Sequence, residues 1–233
     1  STEVKELVAE LRKDTWPDVH GAGMRVRVGG ATAMVADFDK EMLDGTWRVI
    51  PAVLALTFVV LLILFKSLLI PLKATILNLL SVLASYGFLI YLFQDGFGAG
   101  LIGLDPPGGL NSFIVLMLFT VLFGLSMDYE VFLLTHIREE YKKSADNASS
   151  VAMGLQRTAG LITSAALIMV CLFGSFGFTG LVATREFGLG LAFAVFLDAT
   201  LIRVLLVPAL MELFGSANWW LPEFVDRVQI RIW

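Results

Sequence analysis

The chain has 233 residues, of which 57% are hydrophobic and 16% charged, with a mean hydropathy of +0.80; soluble domains run near 45–50% apolar and about 25% charged. That composition excludes a soluble globular domain and describes an integral membrane protein. A net charge of −4, with Lys and Arg at segment ends and no basic stripe, also excludes nucleic acid as a partner.

No basic region followed by an apolar run precedes Trp47, so no targeting signal is read at the N-terminus. Val4, Leu7, Val8 and Leu11 recur at helical spacing and stop at Trp16-Pro17, which predicts a short amphipathic helix. Met24-Arg25-Val26-Arg27-Val28 alternates with period two into Gly29-Gly30, which predicts a strand ending in a turn. Residues 31–43 return to a helical pattern and feed the first membrane segment. A helix, one strand and a second helix leave the strand without a ladder partner and the core too small. Residues 1–46 are therefore expected to be the α/β tail of a larger domain outside the membrane.

Five apolar segments follow at 47–65, 70–93, 113–134, 158–181 and 187–214, each near the roughly 20 residues that a bilayer crossing requires. The connections differ in Lys and Arg, which sets orientation. Lys66 and Lys73 lie between spans one and two, and Arg138, Lys142, Lys143 and Arg157 between spans three and four; the Gly- and Pro-rich 94–112 loop has only Asp95 and Asp105. The basic connections are expected in the cytoplasm, together with the 215–233 tail, and residues 1–46 outside. Arg185 alone dissents. The 135–157 region, with Asp146 as a helix cap, is expected to be an interfacial helix. An outer N-terminus must be translocated, so a preceding span, or one from a partner chain, is expected. The fold class is mainly α: a polytopic five-helix bundle with a small N-terminal α/β remnant.

Two carboxylates lie within spans, Asp128 in the third and Asp198 in the fifth. An acid there costs roughly 2.5–3.5 kcal/mol on insertion scales, and intramembrane acids are functional by default. Thr120 and Gly124 precede Asp128 by eight and four residues, and Gly190 and Ala194 precede Asp198 likewise. Each acid thus projects from a small-residue face that admits another helix closely. Tyr129 follows Asp128 and can relay or orient a proton, while Arg203, five positions after Asp198, is a charge partner for it or snorkels to the surface. Asp128 is the expected proton carrier. Glu130 lies about 200° round the helix from Asp128 and faces another helix or the cytoplasmic surface. His20 and His136 fall on opposite sides of the membrane, Cys171 is a packing residue, and no metal or cofactor site is read. Two membrane acids also suggest an intramembrane aspartyl protease, but Asp128-Tyr129 reverses the Tyr-Asp order of those enzymes and Gly188-Leu189-Gly190 is followed by Leu191 without an acid.

From Gly124-Leu125-Ser126-Met127-Asp128-Tyr129-Glu130 through Ile137-Arg138-Glu139-Glu140-Tyr141, the sequence closely resembles the MMPL family of the resistance-nodulation-division superfamily. Val28-Gly29-Gly30-Ala31-Thr32-Ala33 resembles the close of that family's second porter domain, Phe65-Lys66-Ser67 its first inner turn, and Leu197-Asp198-Ala199-Thr200-Leu201-Ile202-Arg203 with Leu206-Val207-Pro208-Ala209 its last helix. The resemblance implies a non-enzymatic, proton-antiporting exporter of lipids or other hydrophobic molecules in the inner membrane, of which this chain is part of the second half. It also implies that Asp128-Tyr129 meets an Asp-Tyr pair from an N-terminal half or a homologous chain, in a homo-oligomer where the second copy supplies it. The alternative is a non-transporting, lipid-sensing or assembly subunit of the same superfamily.

Overall fold

The computed structural model describes residues 2–12, 27–95, 110 and 112–220. They divide into two compact units, residues 1–50 and 51–233. The first holds α1 (Thr2–Arg12) and the start of α2 (Ala31–Phe65). Arg12 ties them, pairing with Asp37 and donating from Nη2 to the Val28 carbonyl at 3.0 Å. No strand is present among the described residues, so the expected α/β character is not seen. Met24 to Val26 of the expected strand lie outside those residues; Arg27 and Val28 are irregular chain, with the Val28 carbonyl taken by a guanidinium instead of a ladder partner. Gly30, at φ +110, turns the chain into α2.

In the second unit α2 runs on from Pro51 to Phe65. It is followed by α3 (Leu69–Leu89) with a π turn at Ile90–Gln94, α4 (Ser112–Ser144), α5 (Asn147–Ser175), α6 (Val182–Leu197), a π-helical segment Asp198–Leu206, α7 (Val207–Phe214) and a 3₁₀ turn Gly215–Trp219. Among the described residues five helical stretches are long and apolar enough to cross a membrane, the last running unbroken from Val182 to Trp219. Large apolar side chains such as Leu56, Leu83, Leu167, Ile168 and Leu205 lie exposed along them, the outer surface that lipid requires. The interfacial helix expected at 135–157 is not a separate element. Residues 135–144 continue α4, and after Ala145 at φ 54 Asp146 caps α5, its carboxylate accepting from the Ser149 amide at 3.0 Å. The 94–112 loop lies almost entirely outside the described residues, as does the tail beyond Trp220.

The basic end of the bundle is closed by polar bonds that span the sequence. Buried Asn218 accepts at its carbonyl from Ser67 Oγ at 2.5 Å and at Oδ1 from Lys73, and donates to the Met211 carbonyl at 2.6 Å. Asn147 also donates to Met211, at 2.8 Å, and Trp219 stacks on Tyr141 at 4.6 Å. The first residues of the predicted tail are therefore part of the fold.

Small residues set the close helix crossings. A Cβ at Gly154 on α5 would lie 3.0 Å from the backbone N and Cα of Ile137 on α4, whereas one at Gly160 meets nothing within 4 Å. The same substitution therefore has opposite signs at the two sites. Gly160→Ala gains helix propensity of up to about 1 kcal/mol, and Gly154→Ala loses about 1–3 kcal/mol to overpacking. Thermal unfolding of the detergent-solubilised protein checks this: the melting point should hold or rise for Gly160→Ala and fall for Gly154→Ala.

Candidate functional site

Asp198 opens the π-helical segment and Arg203 lies one π turn further on. In an α-helix, residues five apart point about 140° away from each other. The i→i+5 bonding of a π turn stacks them instead, and this brings the two charges together. Arg203 Nη2 donates to Asp198 Oδ2 at 2.6 Å and to the Ser126 carbonyl at 3.1 Å, and its guanidinium lies 5.4 Å from the centre of the Tyr129 ring. Both side chains are buried, so Arg203 does not snorkel. A carboxylate, a carbonyl and an aromatic face together replace the water that a guanidinium needs at this depth.

Around this pair α4 presents its acids on opposite sides. Asp128, Gly124 and Thr120 form one exposed face, and a Cβ added at Gly124 would meet nothing within 4 Å. No part of the described chain covers the carboxylate expected to carry the proton. Tyr129 is half-buried between the two faces, its hydroxyl 3.9 Å from Met169 Sδ. Glu130 points inward, accepting at Oε2 from Asn78 Nδ2 at 2.9 Å, while Asn78 Oδ1 accepts from Ser126 Oγ at 2.7 Å. Lys73 lines the same recess as Glu130.

Gly190 and Ala194, the other small-residue face, are buried against α3. Ser85 Oγ donates to the Gly190 carbonyl at 2.8 Å and Ser81 Oγ lies 3.5 Å from that of Ala194, contacts that only a close backbone approach permits. The structure therefore joins Asp198, Arg203 and Tyr129, and leaves Asp128 facing away from them. Glu130, Asn78, Ser126 and Lys73 also belong to this region, and none of them is among the residues expected to be functional. Their signal was present: Ser126 and Glu130 share a face of α4 at i,i+4, and Asn78, Ser81 and Ser85 form a polar stripe in an otherwise apolar span. Among the described residues no three His, Cys, Asp or Glu side chains gather as a metal set.

Removing one partner of a buried ion pair strands the other, at about 3–5 kcal/mol. Arg203→Met is therefore expected to lower the melting temperature and extracted yield sharply. The double variant Asp198→Asn/Arg203→Met should recover much of the loss, which thermal unfolding of both reads directly.

The family model for the MMPL family matches residues 1–233. The heme uptake protein MmpL11 of Mycobacterium tuberculosis is 41% identical over 212 residues, covering 91% of this chain and 22% of that protein. The mycolic acid-containing lipids exporter MmpL11 of Mycolicibacterium smegmatis is 40% identical over 224 residues, with 96% and 23% covered. The trehalose monomycolate exporter MmpL3 of the same organism is 36% identical over 210 residues, with 90% and 21% covered. The chain thus spans about a fifth of the length of these relatives. With five membrane-length helices and a family match over all of its residues, it is a multi-pass membrane protein and belongs to the MMPL family.

Proposed function

We propose that this chain is part of a proton-driven exporter of lipids or other hydrophobic molecules in the inner membrane, acting as a proton antiporter, and that Asp128 and Tyr129 form its half of the proton relay. The observation that carries this reading is the exposed Thr120–Gly124–Asp128 face. A carboxylate about 24 Å along α4 from Ser112, at the helical rise of 1.5 Å per residue, cannot be left against lipid without the cost that insertion scales assign. A stripe of small residues beside it fits a second helix and brings that helix's polar groups to the acid. The partner is a homologous half, supplied by the same polypeptide or by another chain. The cargo class follows the names of the relatives, which export mycolic acid-containing lipids and trehalose monomycolate or take up heme.

Tyr129 fits the relay because it faces two ways, with its ring against Arg203 and its hydroxyl toward Met169. Residues 1–46 are assigned to the end of an extracytoplasmic porter domain. The basic loops and the segment after α7 are assigned to the cytoplasm by the Lys and Arg asymmetry.

In vesicles holding the assembled transporter under an imposed pH gradient, Asp128→Asn keeps the side-chain volume but removes the titrating proton. It should abolish coupled export and leave the melting point unchanged. Tyr129→Phe keeps the ring against Arg203 and loses one hydroxyl, so export should fall only in part. Export by Asp128→Asn at the parental rate overturns the relay. Wild-type vesicles in which neither proton nor cargo moves would point to the lipid-sensing or assembly subunit instead.

The orientation has its own check. With Cys171 replaced, His20→Cys should react with an impermeant thiol reagent from outside the cell, and Lys143→Cys only after the membrane is opened. The reverse pattern inverts the topology.

A further inference from the structure

The inward face of α4 carries a carboxylate that the relay does not use. Glu130 is 5% exposed, yet its direct partner is the neutral amide of Asn78. The cations nearby are already engaged: Arg203 by Asp198 and the Ser126 carbonyl, Lys73 by Asn218 Oδ1, by Met211 Sδ at 3.3 Å and by the Phe214 ring at 5.2 Å. Among the described residues no cation lies at ion-pair distance from the Glu130 carboxylate, which is held by a neutral donor. Glu130 breaks no ion pair when its charge changes.

Glu130 also forms a wall of a recess with Ile70, Lys73 and Leu77 of α3 and with Val207 and Met211 of α7. The α3 walls come from the first turns of that helix, directly after the turn that carries Lys66, so the recess lies at the basic end of the bundle. The charged groups that act on the carboxyl are Lys73 from α3 and Asp198 and Arg203 from the π-helical segment.

We propose that Glu130 is a second proton-binding site of this half, exchanging one proton with water from the basic end through this recess, and that Asn78 and Ser126 are positioning residues for it. This rests on the proton-coupled reading above and adds a site on the opposite side of α4 from Asp128. In the loading step hydronium transfers its proton to a Glu130 oxygen, leaving water and a neutral carboxylic acid; unloading returns the proton to water. No other bond changes. With the carboxylate ionised, Glu130 and Asp198 balance Lys73 and Arg203; with it protonated, the set carries one positive charge more. In a low-dielectric interior that extra charge acts strongly on the Asp198–Arg203 pair and on the Tyr129 ring. The fixed Ser126–Asn78–Glu130 chain keeps the acid at the boundary between recess and pair, as a carrier that must face one compartment requires.

The test uses the assembled transporter in vesicles of inner-membrane lipids, with export under a pH gradient and pH-jump infrared difference spectra on the same preparations. Expected is a protonated-carboxyl band that Asp128→Asn retains and Glu130→Gln loses. Export by Glu130→Gln should drop to the level of empty vesicles with an unchanged melting point, and Glu130→Asp should restore part of it. Should Glu130→Gln fail to fold, Asn78→Ala leaves the carboxyl in place, removes its amide donor together with the acceptor of Ser126 Oγ, and should move the frequency of that band. A Glu130→Gln variant that exports at the parental rate, or that keeps the band, overturns the proposal, as does an Asn78→Ala spectrum identical to the parent. If Asp128→Asn is dead while Glu130→Gln exports normally, only this inference fails. If Asp128→Asn exports normally, the proton-coupled reading fails and this inference with it.

Discussion

The Arg203 guanidinium inside an apolar bundle is the constraint around which the rest is arranged. It cannot give up its charge, and its side chain is buried. The helix that carries it widens by one π turn so that its own Asp198 reaches it, α4 lends the Ser126 carbonyl, and Tyr129 covers its face. These contacts tie α4 and the last helix at a fixed rotation. Once that rotation is set, Asp128 must face out of the described bundle and Glu130 must face α3.

The two small-residue faces show how one pattern serves two ends. Gly190 and Ala194 let α3 approach until serine hydroxyls reach their carbonyls, so that face is filled within the chain. Thr120 and Gly124 offer the same geometry and nothing within the described chain fills it. The pattern specifies a close neighbour without specifying which one. Both faces lead to an acid, but Asp198 is met within the chain by Arg203, whereas Asp128 is exposed and adds a requirement that its neighbour be polar.

Much of the fold was legible because membrane helices obey few rules. The five spans follow from apolar length alone, Asp146 reads as a cap from its position before a helical pattern, and Asp128 and Asp198 stand out against their surroundings. The strand at 24–28 shows where such rules fail. Period-two alternation describes a chain able to join a ladder, and the described part, Arg27 and Val28, bonds to Arg12 instead. The Asp198–Arg203 pair was suggested by proximity in sequence, but a spacing of five favours divergence in an α-helix. The π turn that resolves this comes with contacts from Arg203 to Ser126 and Tyr129, about 75 residues earlier, which spacing within the last span does not reveal. The anchoring of Asn218 between Ser67 and Lys73 is hidden in the same way, because it joins opposite ends of the span sequence.

Placing two acids on opposite sides of one helix has a mechanical consequence. A change of charge at Asp128 is felt at the uncovered face, and one at Glu130 is felt by Lys73, Asp198 and Arg203 within the bundle. The two sites are separated by a single residue of chain, Tyr129, whose ring rests on the guanidinium that the inner set shares. A rotation of α4 that improved the contacts of one acid would pull Tyr129 and the Ser126 carbonyl away from Arg203. The bundle therefore resists any rotation of α4 that serves one acid alone, because the Ser126 carbonyl and the Tyr129 ring hold that helix against a charge that cannot be neutralised.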